Sequence, residues 1–113
     1  MMTVEEFASS LEGVAREWHD AFVAAIHSFD PNLAIVISYG IPMVKLKKPH
    51  FLGFASNKTF FSIHTIDYSL NEIIRSKLSS ATWSKATTRI PYTAVEDFET
   101  LKKMAIDVIR AHQ

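Results

Sequence analysis

Five histidines, five N-terminal carboxylates and a run of basic residues are the side chains in this sequence whose types could do chemistry. His19, His27, His50, His64 and His112 are the first to weigh, because imidazole is both a general base and a metal ligand near neutral pH. His19 and Asp20 are adjacent, so on a helix they point about 100° apart and cannot pair as a base and its orienting acid. No His-Glu-x-x-His occurs, and His19 and His27 stand too far apart along a helix to share a metal without a third element. The carboxylates Glu5, Glu6, Glu12, Glu17 and Asp20 fall in solvated helical registers. Solvated carboxylates keep their ordinary pKa and make poor general acids at neutral pH. Their distinctive property is number: a ridge formed by Glu5, Glu6, Glu12 and Glu17 offers hard oxygen ligands that could collect a cation weakly.

The basic residues are Lys45, Lys47, Lys48, Lys58, Arg75, Lys77, Lys85 and Arg89, interleaved with Phe51, Phe54, Phe60, Phe61 and Trp83. They could form a face for phosphates. A single-strand nucleic-acid platform needs its aromatics exposed on the same sheet face as its cations, and strand alternation does not arrange that here. Core packing is the better use of the phenylalanines, which argues against nucleic acid. Ser38, Ser62 and Ser84 lack a nucleophile-elbow context, and three scattered glycines cannot build a phosphate loop. Cysteine is absent, which removes disulfides, thiolate zinc sites and cysteine nucleophiles. With no nucleophile–base or acid–base pair visible, the chain reads as a binding protein rather than an enzyme.

The zero net charge hides a pattern. Residues 1–30 carry six acids against Arg16, while residues 31–92 carry eight bases against Asp67 and Glu72. Such asymmetry marks an interaction surface, or else acids suited to helix N-termini and lysines guarding sheet edges. With 48% hydrophobic and 21% charged residues the composition is globular. At 113 residues the chain is sized for a single domain over 1–113. No apolar run approaches the roughly 18 residues of a membrane span, and Glu5 and Glu6 stand where a signal peptide would be basic. A cytoplasmic protein is expected.

The elements that must position these residues follow from periodicity. Thr3 and Glu6 have capping-box spacing, and Val4, Phe7, Ala8 and Leu11 stripe a short helix. Val14, Trp18, Ala21, Phe22, Ala25, Ile26 and Phe29 stripe a second, stopped by Asp30-Pro31. Strands are expected at 33–38, 43–48, 50–56 and 59–65, with a turn at Tyr39–Pro42 and a two-residue hairpin turn at Asn57-Lys58, where Asn tolerates positive φ. Ser69 with Glu72 caps a helix over 70–79, and Ser79–Lys85 is polar loop. Thr87–Ile90 forms a short strand, and Thr93 with Glu96 caps a closing helix striped by Phe98, Leu101, Ala105, Val108 and Ile109. The order ααββββαβα predicts a two-layer α+β fold, with a mainly antiparallel sheet of four to five strands and helices on one face. Trp18, Phe22, Phe98 and Leu101 are expected in the core.

Three blocks in this order, Ile37-Ser-Tyr-Gly-Ile-Pro42, Leu52-Gly-Phe-Ala-Ser-Asn-Lys58 and Lys85-Ala-Thr-Thr-Arg-Ile-Pro91, resemble the YdhG-like family, domain of unknown function 1801. The resemblance spans nearly the whole chain and implies a small bacterial cytosolic α+β domain. Some members carry the label of a frataxin-like intracellular iron chaperone, so iron enters through the resemblance alone. Tyr39, Gly40 and Pro42 match the family's Tyr-Gly-x-Pro turn, and Lys58, Lys85, Thr87, Arg89 and Pro91 match its later blocks. Ala34 and Ile35 stand where members often have acids, and Phe60 where a His often follows the lysine. Those positions therefore lack ligands that iron would take.

These readings converge on a groove between the Tyr39–Pro42 turn and the Lys85–Pro91 segment. There Tyr39, Lys58, Lys85 and Arg89 would present a phenol beside cations to a small anionic ligand or a protein partner. The alternative is iron handling by the acidic helices. Acidic and basic halves on one chain also predict a weak homodimer that loosens with salt.

Overall fold

The computed structural model describes residues 2–113. Helix α1 (Val4–Ser9) begins with the expected capping box. The Thr3 hydroxyl accepts from the Glu6 amide at 3.1 Å, and the Glu6 carboxylate accepts from the Thr3 amide at 3.1 Å. Helix α2 (Gly13–Phe29) follows and ends at Asp30, as its stop signal requires. Strands β1 (Val36–Ser38), β2 (Ile41–Lys45), β3 (Phe51–Ser56) and β4 (Phe60–His64) form an antiparallel meander. After α3 (Tyr68–Ser76), β5 (Thr82–Trp83) and β6 (Thr87–Pro91) complete the sheet, and α4 (Val95–His112) closes the chain.

The sheet has six strands in the order β1-β2-β3-β4-β6-β5, one more than the upper expectation. The extra strand is Thr82–Trp83, which pairs with Arg89 and Thr88 inside the segment read as loop. Two residues are too few for alternation to show in a sequence. Arg75 of α3 holds this hairpin in place by donating to the carbonyls of Ser84 (2.6 Å), Lys85 and Thr87, and to the Thr88 hydroxyl.

Two caps and one turn differ from expectation. Asp67, not Ser69, caps α3 by accepting from the Leu70 amide at 3.0 Å. Asp and Ser are comparable N-caps, and the second oxygen of Asp67 also meets His112 Nε2. The Thr93–Glu96 pair closes no box, since α4 has Ala94 at its N-cap and Thr93 lies one residue outside. The β3–β4 turn is shifted by one residue: the Asn57 amide donates to the Phe60 carbonyl at 2.8 Å, so Lys58 and Thr59 form its tip instead of Asn57 and Lys58. Positive φ falls instead at Tyr39 (54°) and Gly40 (79°), which make the two-residue β1–β2 turn. Consecutive left-handed residues match the right-handed twist of flanking strands. Pro42 lies inside β2, opposite Ile37.

Alternation along the strands then decides the two faces. Val44, Leu52, Phe54, Phe61, Ile63 and Ile90 point toward the helices and join Trp18, Phe22, Ile26, Phe98 and Leu101 in one core. Trp18 stacks on Phe98 with centroids 4.0 Å apart and meets Phe61 edge-on. The expected core is therefore the observed one. The opposite face carries Met43, Lys45, Phe51, Gly53, Ala55, Ser62, His64, Thr87 and Arg89, as the pairing registers require.

Candidate anion-binding site

This second sheet face carries the candidate site. Over β2 and β3 lies a cleft of about 320 Å³, lined by Ser38, Tyr39, Met43, Lys45, Leu46, Lys48, Pro49, His50 and Phe51. The β1–β2 turn sets Tyr39 on its rim, 95% exposed. Lys45 ends β2 pointing outward because Val44 takes the core face. Lys48 and His50 come from the β2–β3 turn, where the Leu46 amide donates to the His50 carbonyl at 3.2 Å and the His50 amide to the Lys47 carbonyl at 2.8 Å. The lining therefore holds two ammonium groups and a phenol against apolar walls, and no carboxylate.

A polar row adjoins the cleft across Gly53. Gly53 pairs with Met43 on one side and His64 on the other, and a Cβ there would meet Ile41 Cδ1 at 2.9 Å, His64 Cβ at 3.4 Å and Met43 Cε at 3.6 Å. In the row, His64 Nε2 bonds the Ser62 hydroxyl at 3.2 Å and His64 Nδ1 bonds the Thr87 hydroxyl at 3.0 Å. Neutral imidazole donates with one nitrogen and accepts with the other, and either hydroxyl can take either role. Burial pushes the His64 pKa down, and the Arg89 guanidinium lowers it further. Ser62 is 2% exposed, so this pair is a satisfied network rather than an open nucleophile.

Of the four residues expected in one groove, the structure places Tyr39 in the cleft and Arg89 on the same face, beside the polar row. It does not bring the four together. Lys58 precedes Phe60 and Lys85 precedes Thr87, at opposite ends of the β4–β6 ladder, and β3 and β4 separate β2 from β6. Lys85 lies over the Tyr68 ring at 5.2 Å, so it supports the α3 start instead of the Tyr39 turn. Lys45, Lys48 and His50 line the cleft and stand outside the expected four; the alternation of Val44 against Lys45 points Lys45 away from the core.

Charge is segregated across the molecule. Among the described residues the ion pairs are Arg16–Asp20, Glu99–Lys102, Asp107–Arg110 and Asp67–His112. None involves a lysine or arginine from residues 31–92. The glutamates expected as a cation ridge do not converge. Glu6 is engaged in the α1 cap, Glu12 is the N-cap residue of α2, and Glu17 stands exposed on α2. Among the described residues no group of three or more His, Asp or Glu side chains is placed to hold a metal ion.

No protein-family profile matches the chain, and no curated protein does. Comparison with solved structures finds a shared fold: the chain is similar to a crystal structure of a Bacillus subtilis protein of the domain of unknown function 1801 family, YdhG. The match covers 96% of this chain and 90% of that one, with a TM-score of 0.71 and 21% sequence identity. The α+β fold of the YdhG-like proteins is therefore the fold of this chain. Among the described residues no helix is long and apolar enough to cross a membrane.

Proposed function

We propose that this is a non-enzymatic binding domain whose ligand is a small organic anion, held in the β2–β3 cleft. The observation that carries the reading is the cleft lining itself: Lys45 and Lys48 beside Tyr39, apolar walls from Met43, Leu46, Pro49 and Phe51, and no carboxylate to neutralise the lysines. At about 320 Å³ the space is at the small end of ligand pockets, which suits one ring and one anionic group. Lysine contributes as a flexible point charge, and the Tyr39 hydroxyl adds a directional donor. Arg89 extends the positive face beyond the cleft.

Calorimetric titration with phenyl phosphate at low salt tests the reading. Saturable one-to-one binding is expected, weakened at least tenfold in the Lys45→Ala/Lys48→Ala double variant, with inorganic phosphate and phenol each binding more weakly. Absence of saturable heat, or equal affinity in the double variant, would remove the proposal.

A further inference from the structure

A second cleft, of opposite charge character, lies between α1 and α2. Its volume is about 380 Å³ and its lining includes Glu5, Ala8, Arg16, His19, Asp20 and Val23. His19 is 2% exposed and its Nδ1 is buried with no hydrogen-bond partner in the protein. The ring sits near Phe7 and Phe54, with centroids 5.8 and 5.9 Å away. Leaving a buried polar atom unpaired is destabilising. A nearly buried imidazole with no protein partner in the wall of a cleft is a hydrogen-bonding group a ligand can address.

The surroundings select the ligand. Arg16 bonds both oxygens of Asp20 at 3.1 and 3.0 Å, and its Nη1 donates to the Ala8 carbonyl at 3.1 Å, tying the helices together. That leaves the guanidinium engaged. Glu5 makes no ion pair among the described residues, so the lining carries two carboxylates against one arginine. Burial, partly offset by Asp20 and reinforced by Arg16, holds the His19 pKa below its ordinary value. A neutral imidazole has one nitrogen free to accept a proton-donating group.

We propose that the α1–α2 cleft binds a small aliphatic ammonium ion, with the alkyl part against Val4, Ala8, Val23 and Ala24, the charge facing Glu5 and Asp20, and an N–H donated to His19. This site is independent of the anion cleft, which lies on the other face of the sheet.

The test is an NMR titration of the full chain with n-butylammonium at pH 7.5, using n-butanol and butyrate as neutral and anionic controls of equal length. Saturable shifts in the His19 ring and the α1–α2 amides are expected, with the amine bound at least tenfold more tightly than either control. His19→Phe should fold normally and lose the binding; Glu5→Gln should fold normally and weaken it severalfold. Shifts that do not saturate, butanol binding as tightly as the amine, or unchanged affinity in His19→Phe would each overturn the assignment. Because neither variant touches the β2–β3 cleft, phenyl phosphate binding should be the same in all three proteins.

Discussion

Ser62 and Arg89 stand directly opposite each other across the β4–β6 ladder, both on the sheet face away from the helices. Arg89 finds no carboxylate there; its Nη2 donates instead to the Ser84 hydroxyl at 3.4 Å. A guanidinium held by a neutral, long hydrogen bond keeps its charge available. Lys45 at the end of β2 and Lys48 in the β2–β3 turn likewise form no ion pair among the described residues. Exposed ion pairs contribute little to stability, so their absence here costs the fold little.

Tyr39 separates a structural role from a binding one. Its φ of 54° is a left-handed conformation that Asn adopts more readily than Tyr. Tyr39→Asn should therefore keep or slightly raise thermal stability while weakening phenyl phosphate binding severalfold. Unchanged affinity would assign the tyrosine to the turn alone. Gly40→Ala, forced into the same region at 79°, should destabilise by about 1–2 kcal/mol, read from urea denaturation.

Trp18→Ala removes a ring packed on Phe98, Tyr92 and Phe61. Such truncations cost about 3–5 kcal/mol, a large part of the roughly 5–15 kcal/mol that holds a domain together. The variant should be barely folded at 37 °C. Native-like melting, followed by near-ultraviolet circular dichroism, would show that the core lies elsewhere.

Stability should fall as pH is lowered through the histidine range. His19 and His64 both have depressed pKa values, each chiefly through burial. In the unfolded chain they take up protons near pH 6.5, while the folded protein resists until lower pH. Their stabilising contribution is thus complete above about pH 6.5 and is lost as pH falls toward the folded values. His64→Gln should flatten the slope of urea midpoint against pH between about 5 and 7. Asp67 acts in the same sense at lower pH. Burial pushes its carboxyl up, but the His112 hydrogen bond, the Leu70 amide and the charges of His112 and His50 outweigh that and hold it below its usual value. Its contribution is complete above about pH 4 and is lost as pH falls through the folded value.

Much of the fold was legible because periodicity is strong where burial is one-sided. The α2 stripe from Trp18 to Ile26 and the α4 stripe from Phe98 to Ile109 both reached the core. What stayed hidden depended on contacts across the chain. Thr82–Trp83 is a strand because β6 lies beside it, and Asp67 caps α3 while bonding His112 from the far end of the sequence. The site was legible in part. The chemistry of a phenol beside cations was readable, and so was Tyr39. Its partners were not, because Lys58 and Lys85 matched in sequence blocks but sit at opposite ends of a ladder whose register the blocks do not encode. Lys45 and Lys48, five and two residues before His50, are the cations that line the cleft.

The central claim is that a small organic anion binds the β2–β3 cleft. Amide chemical shifts recorded during titration with phenyl phosphate test it most directly, because they report place as well as affinity. The account predicts saturable shifts concentrated at Ser38, Tyr39, Lys45, Leu46, Lys48, His50 and Phe51, absent in the Lys45→Ala/Lys48→Ala variant. Shifts scattered over every exposed lysine, or concentrated around Lys58 and Lys85 with the cleft silent, would contradict it.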